Sequence, residues 1–145
     1  MEIWELTARE AIRDLVARYN ANGDSGRFDQ VMELFAPDAV MEIEGEALRI
    51  GTDEIRTIFT GTATGVDWGD RPVYLRHVTG THQIDVIDET TARGRCYFFV
   101  LTDVGLDHWG RYLDDYRVVD GRWRFARRRV STDGASPDSL LAKER

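Results

Sequence analysis

The sequence predicts a single α+β domain, and three observations carry that prediction. Apolar residues recur at helical spacing in the N-terminal part, the pattern alternates as strands do from Val73 onward, and Asp120-Gly121 is a strong hairpin signal between the last two strands. Helices gathered at one end of the chain and strands at the other segregate into an α+β fold. At 145 residues the chain is one domain, long enough to bury a core.

Thr7-Ala8-Arg9-Glu10 has the form of a capping box, a hydroxyl at the N-cap and a carboxylate three residues on. Ile12, Leu15, Val16 and Tyr19 then follow at i, i+3, i+4 and i+7, one face of a helix. Asn22-Gly23 can stop it, since both tolerate positive φ, and Asp24-Ser25-Gly26 reads as a turn. A second, shorter helix carries Phe28, Val31, Met32 and Phe35, and Pro37-Asp38 closes it. The result is two helices with the carboxylate of Asp24 at their elbow. Residues 39–44 alternate as a strand, with Ala39, Met41 and Ile43 on one face and Glu42 and Glu44 on the other. Gly45 turns the chain and residues 47–50 pair back. Thr52 caps a third helix with Asp53 and Glu54 in its first turn, where the helix dipole favours anions, and a stripe of Ile55, Ile58 and Phe59. Residues 61–70 read as a loop, in which the large apolar Trp68 suits a lid over a pocket or a subunit contact.

Val73 to Ile87 is a long strand with a bulge at Thr79-Gly80-Thr81. Without one extra residue there, Leu75 and His77 would face opposite to Ile84 and Val86; with it all four share a face. Thr91 to Thr102 returns, His108 to Val119 is the third long strand, and Arg122 to Val130 is the last, with Trp123 and Phe125 on one face. Residues 1–133 form the domain. Residues 134–145 make a polar tail, loose or folded over the domain as a flap.

Composition narrows the function classes. Charged residues make up 31% of the chain and hydrophobic ones 42%, the balance of an ordinary globular domain. A net charge of −7 argues against a nucleic-acid partner, which needs a basic footprint. No apolar run approaches the roughly 20 residues of a membrane span, and the acidic N-terminus lacks the basic and apolar regions of a signal peptide, so a cytoplasmic location is expected. The single Cys96, beside Tyr97-Phe98-Phe99, reads as a buried, inert thiol. The three histidines show no metal-ligand spacing, and neither a phosphate-binding glycine loop nor a Gly-x-Ser-x-Gly elbow is present, so no metal or cofactor is expected. Arg127-Arg128-Arg129 reads as a solvated or subunit-pairing strip.

Four polar residues are the candidates for chemistry: Tyr19, Asp24, His77 and Asp114. Asp114 shares a strand face with Tyr112, Tyr116 and Val118, the less charged face and so the inner one. Burial among rings raises a carboxyl pKa, and a protonated acid could donate a hydrogen bond to a developing oxyanion; alternatively Asp114 accepts bonds from Tyr19 or an arginine and only holds the core. His77 lies on an apolar face with Val73 and Leu75, either as a core residue or as the proton shuttle its near-neutral pKa suits. Asp24 could orient that imidazole, or bond its own backbone in the turn. His82 faces inward only if the bulge exists, and His108 sits at a strand start at the rim.

The Arg18-Tyr19 pair, the Asp24-Ser25-Gly26 elbow and the Leu34-Phe35-Ala36-Pro37-Asp38-Ala39 exit resemble the first two helices of the nuclear transport factor two-like superfamily, which includes SnoaL-like cyclases, ketosteroid isomerases and scytalone dehydratases. The resemblance covers nearly the whole chain and implies a conical α+β barrel: three N-terminal helices packed on a strongly curved, mostly antiparallel sheet around a hollow, with the outer sheet face in a homodimer. Tyr19 matches the tyrosine of the isomerase oxyanion hole. Asp114, ahead of Tyr116-Arg117-Val118 and the Asp120-Gly121 turn, matches its protonated aspartate, the buried acid that serves as a general example of a carboxyl kept neutral. The isomerase's base falls at Ile43, which cannot take a proton. Asp24 matches the elbow aspartate of scytalone dehydratase and Arg76-His77 its first catalytic histidine; its second histidine falls near Leu101 and its cavity asparagine near Tyr112.

Together these imply a cofactor-free acid–base enzyme, an isomerase, dehydratase or cyclase, on a small hydrophobic carbonyl-bearing or polycyclic substrate. His77, Asp24, Tyr19 and Asp114 would do the chemistry, and Tyr112, Tyr116, Ile43, Phe59, Trp68 and Phe98 would line the pocket. The same fold also implies an alternative, a ligand-binding module or the structural small subunit of an aromatic-ring dioxygenase.

Overall fold

The computed structural model describes residues 1–65, 69–70 and 72–143; Trp68 lies outside them. Helices α1 (Ile3–Asp24), α2 (Phe28–Met32) and α3 (Thr52–Gly65) alternate with a short hairpin, β1 (Phe35–Ile43) and β2 (Arg49–Ile50). Four long strands follow, β3 (Arg76–Val86), β4 (Thr91–Thr102), β5 (Gly105–Val119) and β6 (Arg122–Ala135), and a short α4 (Leu140–Lys143) ends the described chain. The six strands form one sheet in the order β2-β1-β6-β5-β4-β3, antiparallel throughout except for the parallel pair β1 and β6. The sheet is not closed, since β2 and β3 form its two edges. No helix among the described residues is long and apolar enough to cross a membrane.

α1 begins a turn before the expected capping box. Thr7 lies inside it and its hydroxyl donates back to the Ile3 carbonyl at 2.9 Å, the alternative bond open to a helical threonine. Nor does Asn22-Gly23 end the helix. It runs to Asp24, Gly23 lies against the Phe59 ring, and the left-handed residue of the elbow is Gly26, at φ 73°. α2 stops at Met32 because Phe35 and Ala36 already belong to β1, where the Phe125 amide donates to the Leu34 carbonyl. α3 extends through residues 61–65, which the glycines suggested as loop.

The strand alternation is as expected where it matters most. Ala39 and Met41 are buried while Glu42 turns outward to Arg127. Along β3 the pairing with β4 shifts by one residue between Gly80 and Gln83, so the expected bulge exists and His77, Ile84 and Val86 share the inner face. Thr81 there adopts φ 52°. A second bulge was not expected. Asp115 pairs with Arg127 but Tyr116 pairs with Phe125, leaving Ala126 as the extra residue in β6. It reverses the alternation of that strand and carries Arg128 onto the same face as Phe125, into the core rather than onto a solvated strip.

The core lies between α1, α3 and the inner sheet face, around Ile12, Val16, Tyr19, Phe35, Met41, Ile55, Val100, Tyr112, Tyr116 and Phe125. Arg9 fastens α1 to β3 by donating to the Ile84 carbonyl at 2.6 Å. The outer face exposes Val78, Tyr97, Phe99 and Leu113.

Gly110 makes room for this packing. A Cβ there would lie 2.0 Å from the Ser131 carbonyl oxygen and 2.9 Å from the Phe98 ring, which stacks on Tyr112 at 4.6 Å. Gly110→Ala is therefore expected to cost about 1–3 kcal/mol through strand displacement, read as a lowered urea midpoint; an unaltered midpoint would show that β5 and β6 separate there freely.

Candidate active site

Two of the four sequence candidates meet directly. The elbow between α1 and α2 places Asp24 over the start of β3. One carboxylate oxygen of Asp24 lies 2.6 Å from His77 Nδ1, while the other accepts the His77 backbone amide at 2.8 Å. The carboxylate is thus fixed at both oxygens, and the imidazole cannot turn without breaking the shorter contact. Asp24 is almost covered, its side chain 8% exposed, while His77 keeps 23%. The aspartate is a partner to the histidine, not a turn residue bonding its own backbone.

Asp114 and Tyr19 form a different cluster, deeper in the fold. Arg128, which sequence reasoning left outside, is completely buried and donates to both Asp114 oxygens, from Nε at 2.8 Å and from Nη2 at 2.9 Å. The Tyr116 hydroxyl donates to the same carboxylate at 2.9 Å, and His82 Nε2 lies 3.2 Å from that hydroxyl. Asp114 is therefore an acceptor three times over, which corrects the expectation of a protonated acid offering a hydrogen bond. Burial alone would lower the Arg128 pKa, but the Asp114 carboxylate outweighs it and holds the guanidinium above its ordinary value. Burial lowers the pKa of His82, with Asp114 only partly opposing.

The guanidinium is also packed between rings, 4.3 Å from the centre of Tyr19, 3.8 Å from Tyr112 and 4.4 Å from Phe125. Much of the expected hollow is filled by this stack. Burial pushes the Tyr19 hydroxyl up to about 12, with Arg128 partly offsetting it, so it stays a donor at neutral pH. Tyr112 is raised for the same first cause, burial, and donates to Asn20 Oδ1 at 3.3 Å. Four buried donors have no acceptor among the described residues, Arg9 Nε, Asn20 Nδ2, Arg124 Nε and Arg128 Nη1, and two of them, on Asn20 and Arg128, belong to this cluster. Cys96 is buried, and that burial pushes its thiol up to about 11, in keeping with an inert residue.

Of the expected pocket residues that the structure describes, Phe98 is the one beside the imidazole, with ring centres 6.1 Å apart. Phe59 packs on Tyr19 and Phe28, Ile43 lies partly buried against the core, and Tyr112 and Tyr116 are buried within it. A depression of about 390 Å³ lies on the opposite side of the sheet, lined by charged residues including Arg93, Arg95, Asp115, Arg127 and Arg129. Among the described residues no group of His, Cys, Asp or Glu could hold a metal ion.

Sequence reasoning also undervalued His108. It pairs across the ladder with Val100, which pairs on its other side with His77, so the two imidazoles flank Val100 on the inner face. Their centres are 6.4 Å apart at 87°, and Phe98 lies 6.0 Å from His108. His108 Nδ1 lies 2.7 Å from Asp107 Oδ2. Only the strand register could have revealed this, because Asp107 reads as the last residue of a turn.

Comparison with known proteins agrees with this architecture. The chain superposes on a protein from Novosphingobium aromaticivorans described as a putative scytalone dehydratase, with a TM-score of 0.80 at 23% identity over 94% of this chain and 91% of that one. A nuclear transport factor two-like protein of cystatin-like fold from the same organism gives a TM-score of 0.77 at 26% identity, over 94% and 90%. A hexachlorocyclohexane dehydrochlorinase, LinA-type3, from Novosphingobium barchaimii gives 0.80 at 16% identity, over 94% of both chains. The family model for the SnoaL-like domain matches residues 4–129, nearly the whole of the chain from α1 into β6. This chain therefore belongs to the SnoaL-like domain family.

Proposed function

We propose that the chain is a cofactor-independent acid–base enzyme, a lyase or isomerase that removes a carbon-bound proton from a small hydrophobic, carbonyl-bearing substrate. The observation that carries this reading is the doubly anchored Asp24 beside His77. A carboxylate on Nδ1 holds the neutral ring with its proton on that nitrogen and stabilises the imidazolium that forms when the other nitrogen takes a proton. His77 Nε2 is then the base. The electron pair of the broken C–H bond passes toward the substrate's carbonyl, and either returns with a proton at another carbon or expels a group from the neighbouring one. The dehydratase and dehydrochlorinase names among the structural neighbours favour elimination over cyclisation.

Nitrobenzisoxazole tests the base without knowledge of the natural substrate. Its C–H proton leaves as the N–O bond breaks, giving a coloured cyanophenolate. The wild-type chain is expected to accelerate this over buffer, and His77→Gln to lose about 10²–10⁴-fold of the acceleration with its melting temperature retained. Equal turnover by the variant, or a stability loss with turnover intact, would make His77 a core residue.

A further inference from the structure

We propose that His108 is a second proton-handling residue of this site, and that the C-terminal segment from Ser136 to Leu141 positions it by gripping Asp107. The proposal rests on the acid–base reading of His77 given above.

The geometry has two parts. The first is the pairing of like with like. His77 and His108 sit on the inner face two strands apart, each with Nδ1 on a buried carboxylate, at 2.6 Å from Asp24 and 2.7 Å from Asp107. The rings stand edge to face and both border Phe98. An elimination moves two protons, one off carbon and one onto the leaving oxygen. Two imidazoles at this separation can serve neighbouring carbons. His77 takes the C–H proton, the electron pair becomes the new C=C bond, the C–O bond breaks, and the oxygen leaves as water with a proton from the His108 imidazolium. Exchange with solvent returns His77 to its neutral form and His108 to its charged form.

The second part is what holds Asp107. The carboxylate is buried, with its side chain 2% exposed. Oδ2 accepts from the Ser139 hydroxyl at 2.8 Å as well as meeting His108, and Oδ1 accepts the Leu140 amide at 2.9 Å. The Asp107 carbonyl accepts the Ser136 amide at 2.8 Å, and the Ser136 hydroxyl donates to the Leu106 carbonyl at 2.7 Å. Ser139 is itself completely buried and its oxygen accepts the Leu141 amide at 3.1 Å. The segment is thus not a loose tail, and the boundary expected at residue 133 falls inside β6. Burial opposes ionisation of Asp107, yet His108, the Leu140 amide and the Ser139 hydroxyl together hold its carboxyl below the ordinary value. A terminal segment that served only to cover the sheet would have no need to spend two donors on a carboxylate that contacts an imidazole.

Ring tautomers report on this without any substrate. In a chain labelled with nitrogen isotope at histidine, two-bond proton–nitrogen spectra distinguish a proton on Nδ1 from one on Nε2. His108 is expected to keep its neutral-form proton on Nδ1 in the wild type. In Ser139→Ala, and in a chain ended after Pro137, it is expected to become a mixture while His77 stays unchanged. Turnover of a β-aryl-β-hydroxy ketone, which must lose its hydroxyl, is expected to fall about 10²-fold in His108→Gln, and by a smaller factor in kcat at constant KM in Ser139→Ala, with Ser139→Thr restoring it. An unchanged His108 tautomer in both tail variants overturns the positioning, and if the shortened chain does not fold Ser139→Ala alone decides. A changed tautomer with unchanged dehydration overturns the part played by His108. Failure of His77→Gln to affect nitrobenzisoxazole turnover would sink the parent reading while leaving the tautomer result to stand or fall separately.

Discussion

Arg128→Met is expected to destabilise the fold by about 3–5 kcal/mol, against the about 5–15 kcal/mol that holds a typical domain together. The methionine keeps much of the packing between Tyr19, Tyr112 and Phe125. What it removes is the one cation that pairs with Asp114 among the described residues, and the Asp114 carboxylate is completely buried. An uncompensated buried charge is the expensive outcome, whereas removing both partners is not. The double variant Arg128→Met, Asp114→Leu is therefore expected to recover most of the loss, leaving chiefly the Tyr116 hydroxyl without its acceptor. Urea unfolding of the single and double variants measures the difference. Should the double variant be no more stable than Arg128→Met alone, the cost would lie in lost ring packing and the charge argument would be wrong.

The second large effect falls on catalysis. Asp24→Asn is expected to lower kcat for nitrobenzisoxazole by about 10³–10⁴-fold, the scale set by the same change in a serine-protease triad. The reason is in the two contacts of the carboxylate. The His77 backbone amide must donate to one of them, so the asparagine turns its carbonyl oxygen that way. Its NH₂ group then faces Nδ1, which can only accept. The imidazole proton moves to Nε2, and the base is gone while the fold and the contact distances stay nearly as they were. Loss of less than about tenfold, with the melting temperature maintained, would mean that Asp24 does not set the tautomer.

These two outcomes separate what the sequence made legible from what it hid. The bulge in β3 could be inferred because Leu75 and His77 on one side, and Ile84 and Val86 on the other, are apolar positions of opposite parity that a shared face must reconcile. The bulge in β6 left no such trace. Arginine stands at 122, 124, 127, 128 and 129, so neither parity looks like the core, and the residue that changes face is itself charged. The burial of Arg128 follows from that hidden shift, and with it the correction to Asp114. The Asp24–His77 pair was legible through the family resemblance. The Asp107–His108 pair was not, since its remaining partners arrive some thirty residues later from a segment whose composition reads as solvent-exposed. Helix ends were misplaced for a simpler reason. Glycine in a helix costs about 1 kcal/mol, a penalty that tertiary packing such as that of Gly23 on Phe59 can overcome.

The bulge at Thr81 and His82 also bears on the open margin of the sheet. β3 is an outermost strand of eleven residues, and a strand of that length, if flat, is a template on which another molecule's backbone can assemble into fibrils. The extra residue breaks the rhythm of its amide and carbonyl groups and twists the strand near its middle. The distortion that turns His82 toward Tyr116 thus also guards this margin against amyloid-like growth.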